Sequence, residues 1–398
     1  MSVSEFPSFL PMQNVIQHYA WGSKTAIANL FDIPNPNHLP QAEIWMGAHQ
    51  NGCSTVKWHG ETIKLSTLIE QSRQEILSEK TAQKYQELPF LFKVLAAEKA
   101  LSVQVHPDKK EAEIGYEKEN LAKIPLDSPI RNYKDPNHKP ELVYALSQYQ
   151  AMNGFRSHIE IIELFQELAS KTLVPLVEKF TKNQTEDGLK HFFISLLSLQ
   201  GLEKKSAISE LVSFSQSSDS SPFTLITDLK QHYPDDIGLF TPLFLNVITL
   251  EPGEAMYLDA RTPHAYLKGT GLEVMANSDN VLRAGLTPKH IDVIELASCT
   301  AFKEKPFDTL KLEPTVHEFG EQKYAIPVND FKFSLYPSPQ QAVVKPQSAE
   351  IIMAIDEEVV LSHLSETFVL QKGQSVFIPA YVEQYTIQSQ ARVARVYN

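Results

Sequence analysis

LSVQVHPDK, residues 101–109, decides how the rest of the chain reads. In an extended segment successive side chains alternate. Val103 and Val105 therefore share one face, and Ser102, Gln104 and His106 share the other. Pro107 has no N–H to give a ladder, so the strand should stop there. Apolar residues on one face and ligand-type residues on the other suit a barrel whose inner wall carries chemistry. The plain alternative is a histidine ending a strand at the surface. Two other stretches weigh against it: NHKPE (137–141) and TPHAY (262–266) hold further groups that a metal would need.

The 398 residues can form two or three domains around a large core. With 42% hydrophobic and 21% charged residues, the composition is that of an ordinary water-soluble protein. The start, MSVSEFPSFLPMQN, has neither a basic segment nor a long apolar run, so no secretory leader is expected. No stretch approaches the ~20 apolar residues of a membrane span. Two cysteines, Cys53 and Cys299, cannot make a disulfide framework or a zinc ribbon, and a reducing cytoplasm is expected. The net charge of −12 argues against nucleic acid or an anionic membrane as main partner. It leaves room for a small anionic substrate in a locally basic pocket.

Outward from the opening stretch, HYAWGSKTAIANLF (18–31) turns helical, with Ser23 as a cap and Ile27, Leu30 and Phe31 on one face. AEIWMGAH (42–49) alternates as a strand, with Glu43 and Trp45 on one side and Ile44 and Met46 on the other. LSTLIEQSRQEIL (65–77) reads as one helix. LPFLFKVLAAEKALSVQVHP (88–107) is the strongest apolar run of this half, and Lys93 sits inside it. Such a lysine snorkels at a sheet edge by default, or faces a polar cavity if an anion must be bound. Ser157 and Glu160 are spaced as a capping box. Ile161, Leu164, Phe165 and Leu168, then Leu189, Phe192, Phe193 and Leu196, keep helical spacing. Further helical pieces near 203–215 and 223–232 make 157–235 an all-helical segment without a catalytic cluster. From 244 short strands and Pro-Gly turns return, and beyond about 310 the chain is strand-rich to its end.

One internal echo organises the second half. TLEPGEAMYLDARTPHAYL (249–267) and VLQKGQSVFIPAYVEQYTI (369–387) match in pattern at an offset of 120 residues. Leu250, Gly253 and Ala260 fall on Leu370, Gly373 and Ala380, whereas His264 falls on Gln384. Two related β-barrels follow, of which only the first keeps metal-type residues.

Gln104, His106, Glu141 and His264 could converge as a mixed N/O metal site of the zinc type. Their wide dispersal makes spacing alone a weak signal. Nearby in sequence stand His138, Lys139, Glu273, Asp279, Arg283 and Lys289. SDNVLRAGLTPK (278–289) offers turn chemistry followed by two cations suited to a phosphate. Scattered solvated charges would explain any one of these residues, but less easily the set.

With these stretches in view, the chain resembles the type I mannose-6-phosphate isomerases, a zinc-dependent branch of the cupin superfamily. The matching stretches are YAWGS (19–23), AEIWMGAH (42–49), LPFLFKVL (88–95), LSVQVHPDK (101–109), NHKPELVYAL (137–146), AMNGFR (151–156), TPHAYLKG (262–269) and SDNVLRAGLTPK (278–289). The resemblance implies a mainly β protein with two cupin-type jelly-roll barrels and a helical insert. The catalytic domain would take 1–156 and 236–310, the insert 157–235, and a metal-free C-terminal barrel 311–398. It implies one zinc per chain on Gln104, His106, Glu141 and His264. Lys139, Glu273, Asp279 and Arg283 would be the active-site positions, with His138 assisting ring opening and Ser102, Lys289 and Lys93 on the phosphate side. Gln50 and Asn51 depart from the usual pattern in a loop expected to lie outside the site.

The implied reaction interconverts mannose 6-phosphate and fructose 6-phosphate through an enediolate, in mannose catabolism or GDP-mannose synthesis. A phosphosugar is the expected partner and a monomer the expected state. Lys139 is the first choice as general base and Glu273 the second. The competing classes are an iron-dependent oxygenase cupin, which Gln104 disfavours, and a metal-free binding or storage barrel.

Overall fold

The computed structural model describes residues 6–398. Residues 1–5, the first part of the segment examined for a leader, lie outside the described residues. No helix among those described is long and apolar enough to cross a membrane.

The seam of the first barrel is one long strand, His264–Ala276. Its second half lies between Phe90–Ala97 and Glu141–Ala145, and its first half pairs with Tyr149–Phe155 and, at His264, with Gln104 of Val103–Val105. The strand turns from one wall to the other at a register shift between Tyr266 and Lys268. Gly269 (φ +125°) follows that shift, and a Cβ there would sit 2.5 Å from the Gln148 carbonyl oxygen, so only glycine fits. Val103 and Val105 are fully buried and the strand ends before His106, as Pro107 requires.

Glu43–Met46 lies beside Phe90–Ala97 and is buried on both sides. Ile44 and Met46 join a core that also contains Phe92, Leu142, Phe331, Ile351 and Phe377, so the two barrels pack face to face through one apolar layer. Glu43 and Trp45 point the other way, towards the polar wall.

The insert matches its sequence pattern. Five helices, His158–Leu168, Val174–Lys182, Glu186–Leu197, Gly201–Ser215 and Ser221–Lys230, enclose an apolar centre with Phe165, Phe192, Phe193, Phe240 and Phe244. The Ser157–Glu160 capping box forms with both of its hydrogen bonds. The insert core also takes in Val103, Val105 and Phe155, which fixes it against the back of the site strand.

The second barrel pairs a seven-stranded with a four-stranded sheet. Ala255–Leu258 and Ser375–Ile378 lie 120 residues apart, and Gly253 (φ +98°) and Gly373 (φ +77°) both turn the chain before them.

Three expectations need adjustment. The helix read over 65–77 is two pieces, Leu65–Gln71 and Arg73–Leu77, broken at Ser72 (ψ 53°). The strand Leu10–Pro11 belongs to the second barrel, with Leu10 opposite Phe377, so residues 1–156 do not lie wholly in the first. Lys93 is not at an edge: it lies within an eight-residue strand buried throughout, with strands on both sides.

Candidate metal centre

Three strand ends converge to make the site. His106 is the first residue beyond Val103–Val105, His264 opens the seam strand, and Glu141 opens Glu141–Ala145 opposite Met275. All three are buried. Glu141 Oε1 lies 3.2 Å from His106 Nε2, and Oε2 lies 3.4 Å from His264 Nε2. Among the described residues this is the one group of three or more His, Cys, Asp or Glu ligands close enough to share an ion.

Each imidazole is fixed by its other nitrogen. Nδ1 of His106 lies 2.6 Å from the Asn280 carbonyl oxygen, and Nδ1 of His264 lies 2.8 Å from that of Thr262. A carbonyl only accepts, so both Nδ1 atoms carry the proton and both Nε2 lone pairs face Glu141. Burial, and after it the charge of Lys139, pushes His106 down to about 4, which keeps it a neutral ligand at pH 7. Burial alone would raise the Glu141 carboxyl, but Lys139 and then His106 overcome it and hold the group well below the usual carboxylate range. The buried His106 Nε2 has no hydrogen-bond partner. A neutral pair of lone pairs around an ionised carboxylate, with one nitrogen unsatisfied, fits a divalent cation of the zinc type.

Tyr266 donates its hydroxyl to Glu141 Oε2 at 2.7 Å, and Lys139 Nζ lies 3.3 Å from Oε1. A small cavity of about 70 Å³ joins Glu141 and His264 to Ser102, Gln104, Lys139 and Glu273. Gln104 lies opposite His264 in the ladder and donates to Ser102 Oγ at 3.3 Å. Lys93 closes the cavity wall, 2.7 Å from Glu273 Oε2 and 3.8 Å from Glu43 Oε1. Burial works against its charge, but Glu273 and Glu43 outweigh it and raise its pKa. Burial also raises the Glu273 carboxyl, against the pull of Lys93.

The remaining candidates lie around this centre. Arg283 is opposite Gln104 in the ladder and so on its face; burial lowers its pKa, and it has no ion pair among the described residues. Lys289 is exposed at the end of the same loop, and Arg283 is the chief cause of its lowered pKa. Asp236, at the exit of the insert, accepts the amides of Leu286 and Thr287 and fixes this loop. Asp279 bonds His49 and Asn51; burial would raise it, but His49 holds it down to about 2. Asn51 therefore touches a candidate site residue, contrary to the expectation that its loop lies outside. His138 is not brought to the cavity: it pairs with Asp330 at 3.1 Å, on the side of the second barrel.

Residue-type reasoning missed the supports. Asn280 donates to the carbonyls of Asp135 and Asn137 and accepts from the Lys134 amide, so the turn that aims His106 is tied to the loop before Glu141. Its only sequence signal was turn chemistry. Glu43 had a clearer one, a charge alternating into a buried strand.

Family models match the chain in three parts. They are the catalytic domain of type I phosphomannose isomerase over residues 9–158, its helical insertion domain over 164–245, and a mannose-6-phosphate isomerase cupin domain over 320–398. The mannose-6-phosphate isomerase of Escherichia coli is 47% identical over 97% of this chain and 98% of its own. That of Rattus norvegicus is 34% identical over 94% of each. A crystal structure of a point mutant of phosphomannose isomerase from Salmonella typhimurium superposes with a TM-score of 0.95 at 46% identity, covering 98% of this chain and all of that one. A zinc-bound mannose 6-phosphate isomerase gives 0.94 at the same identity and coverage. With three domain models in order and relatives matched from end to end, the chain belongs to the type I phosphomannose isomerase family.

Proposed function

We propose that this protein interconverts mannose 6-phosphate and fructose 6-phosphate, using one zinc ion held by Gln104, His106, Glu141 and His264. The observation that carries the reading is the buried Glu141 between two imidazoles whose Nε2 atoms face it. Bound there, zinc would supply the electrophilic charge that stabilises a developing enediolate.

The chain's own groups do the rest. A base must take the proton from carbon 2 of the open-chain aldose and return it to carbon 1. Lys139 is the better placed: it lines the cavity beside Glu141, and zinc on Glu141 would take its place as that carboxylate's partner and leave the amine free to accept a proton, whereas Glu273 is tied to Lys93 at 2.7 Å. Lys93 is neutralised by Glu273 and Glu43, so it supports the wall rather than the phosphate. Arg283 and Lys289, with Ser102 just before the neighbouring strand, are the groups left to hold a phosphate and fix the sugar's position. Asp279 orients His49 and Asn51 beside them. His138, turned towards Asp330, takes no part in ring opening in this reading.

Two variants test it. Lys139→Met should lower kcat by about a thousandfold with unchanged zinc content; activity near that of the parent would remove Lys139 as the base. Arg283→Met should impair turnover of the phosphorylated sugar while leaving any residual turnover of free mannose unchanged. Equal loss on both would contradict a phosphate role.

A further inference from the structure

The second barrel carries a cavity of its own, of about 1040 Å³, between its mouth and the helix Glu79–Tyr85. We propose that it is a second ligand site, independent of the catalytic one, for a nucleoside diphosphate bound without metal.

Position is the first argument. In the first barrel Glu141 lies opposite Leu258; in the second, Glu350 lies opposite Ile378, 120 residues further on. Tyr266 donates to Glu141 at 2.7 Å, and Tyr385 donates to Glu350 at 2.7 Å. Glu273 lies opposite Val143, two residues past Glu141, and Arg395 lies opposite Ile352, two residues past Glu350. Lys93, the other ladder partner of Glu273, gives way to Ser334 beside Arg395. The second cavity thus reaches one of the corresponding positions, Arg395, where a guanidinium stands in place of the Glu273 carboxylate. A guanidinium bonded to Glu350 and to Glu321 replaces a carboxylate bonded to a lysine.

Charge is the second argument. Lys80, Lys84, Lys323, Lys332, Lys345 and Arg395 line the cavity against Glu318 and Glu321, in a chain of net charge −12. Lys80 and Lys345 have no carboxylate partner among the described residues, and Lys323 faces solvent beside Glu321. A concentration of cations against the sign of the whole molecule selects an anion with more than one charge. Shape is the third. The volume suits a nucleotide-sized ligand. Phe319, 49% exposed at the rim, is held at φ +57°, a strained backbone that puts a large aromatic ring where a base could stack.

The test is calorimetric titration of the zinc-loaded enzyme with ADP, with inorganic pyrophosphate and with mannose 6-phosphate. ADP should bind saturably at one per chain, more tightly than pyrophosphate, and should not be displaced by mannose 6-phosphate. The Lys323→Glu/Lys345→Glu double variant should weaken it by at least about tenfold, leaving zinc content and basal turnover unchanged. Should that variant fold poorly, Lys80→Ala/Lys345→Ala removes two unpaired charges and should weaken binding in the same direction. Absence of saturable ADP binding at millimolar concentration, binding indifferent to these substitutions, or displacement by mannose 6-phosphate would overturn the proposal. Pyrophosphate binding as tightly as ADP would overturn its nucleoside part.

Discussion

Glu141 and the backbone oxygens behind His106 and His264 do different jobs, and substitutions separate them. Glu141→Gln keeps the shape but removes the one full negative charge between the imidazoles, and the Lys139 ammonium stays beside a neutral amide. Zinc retention after gel filtration should fall to a small fraction of the parent's, as metal analysis would show. Asn280→Ala leaves the carbonyl that receives His106 Nδ1 but frees the turn that carries it. Zinc affinity should drop about 10–100-fold with the fold intact; an unchanged affinity would mean that the turn is held from elsewhere. Cys299 is buried, and burial pushes its thiol pKa up, while Cys53 is partly exposed. A maleimide should therefore label one thiol of the native protein and both in denaturant. His106, Glu141 and His264 were legible because few residue types bind metals. Lys93 was misread because its two carboxylate partners come from other strands, and no pattern within residues 88–107 reveals them.

Helices and turns were legible where their chemistry is local. The capping box at Ser157 needs only residues three apart, and Ser157→Ala should cost about 1 kcal/mol in urea unfolding. The helix Lys109–Leu121 was not read, because only Ala112, Gly115 and Glu119 are buried along it and no apolar stripe exists to be seen. Its start did leave a trace: Asp108 accepts the Glu111 amide, the ordinary cap arrangement. The break at Ser72 likewise has no sequence mark, since the apolar spacing continues across it. The paired turn glycines offer a graded test of the echo. Gly253→Ala would meet only the Tyr144 hydroxyl, at an unstrained 3.8 Å, and should cost about 1–3 kcal/mol from its positive φ alone. At Gly373 the new Cβ would also lie 2.6 Å from the Phe31 Cβ, so Gly373→Ala should cost more. Equal losses would mean that Phe31 moves aside freely.

Across the molecule, the three-part order was readable from composition and the echo, whereas the way the parts interlock was not. Leu10–Pro11 crosses to the second barrel, and Arg392, paired with Asp356, reaches the Tyr144 hydroxyl of the first. These contacts join residues hundreds of positions apart, and each element looks complete in its own stretch. The second barrel also holds a buried ion cluster, Arg395 between Glu350 and Glu321. Arg395→Met would strand Glu350 and should destabilise the protein by about 3–5 kcal/mol, with zinc content unchanged because the metal site lies in the other barrel. The central claim is that catalysis depends on one zinc in the first barrel. Its most direct test is mannose 6-phosphate turnover and metal content measured together on the protein as purified, after chelation, and after zinc is restored. The account predicts activity that vanishes with the metal and returns in proportion to zinc, up to one per chain. Full turnover in metal-free protein, or none in folded protein carrying one zinc, would contradict it.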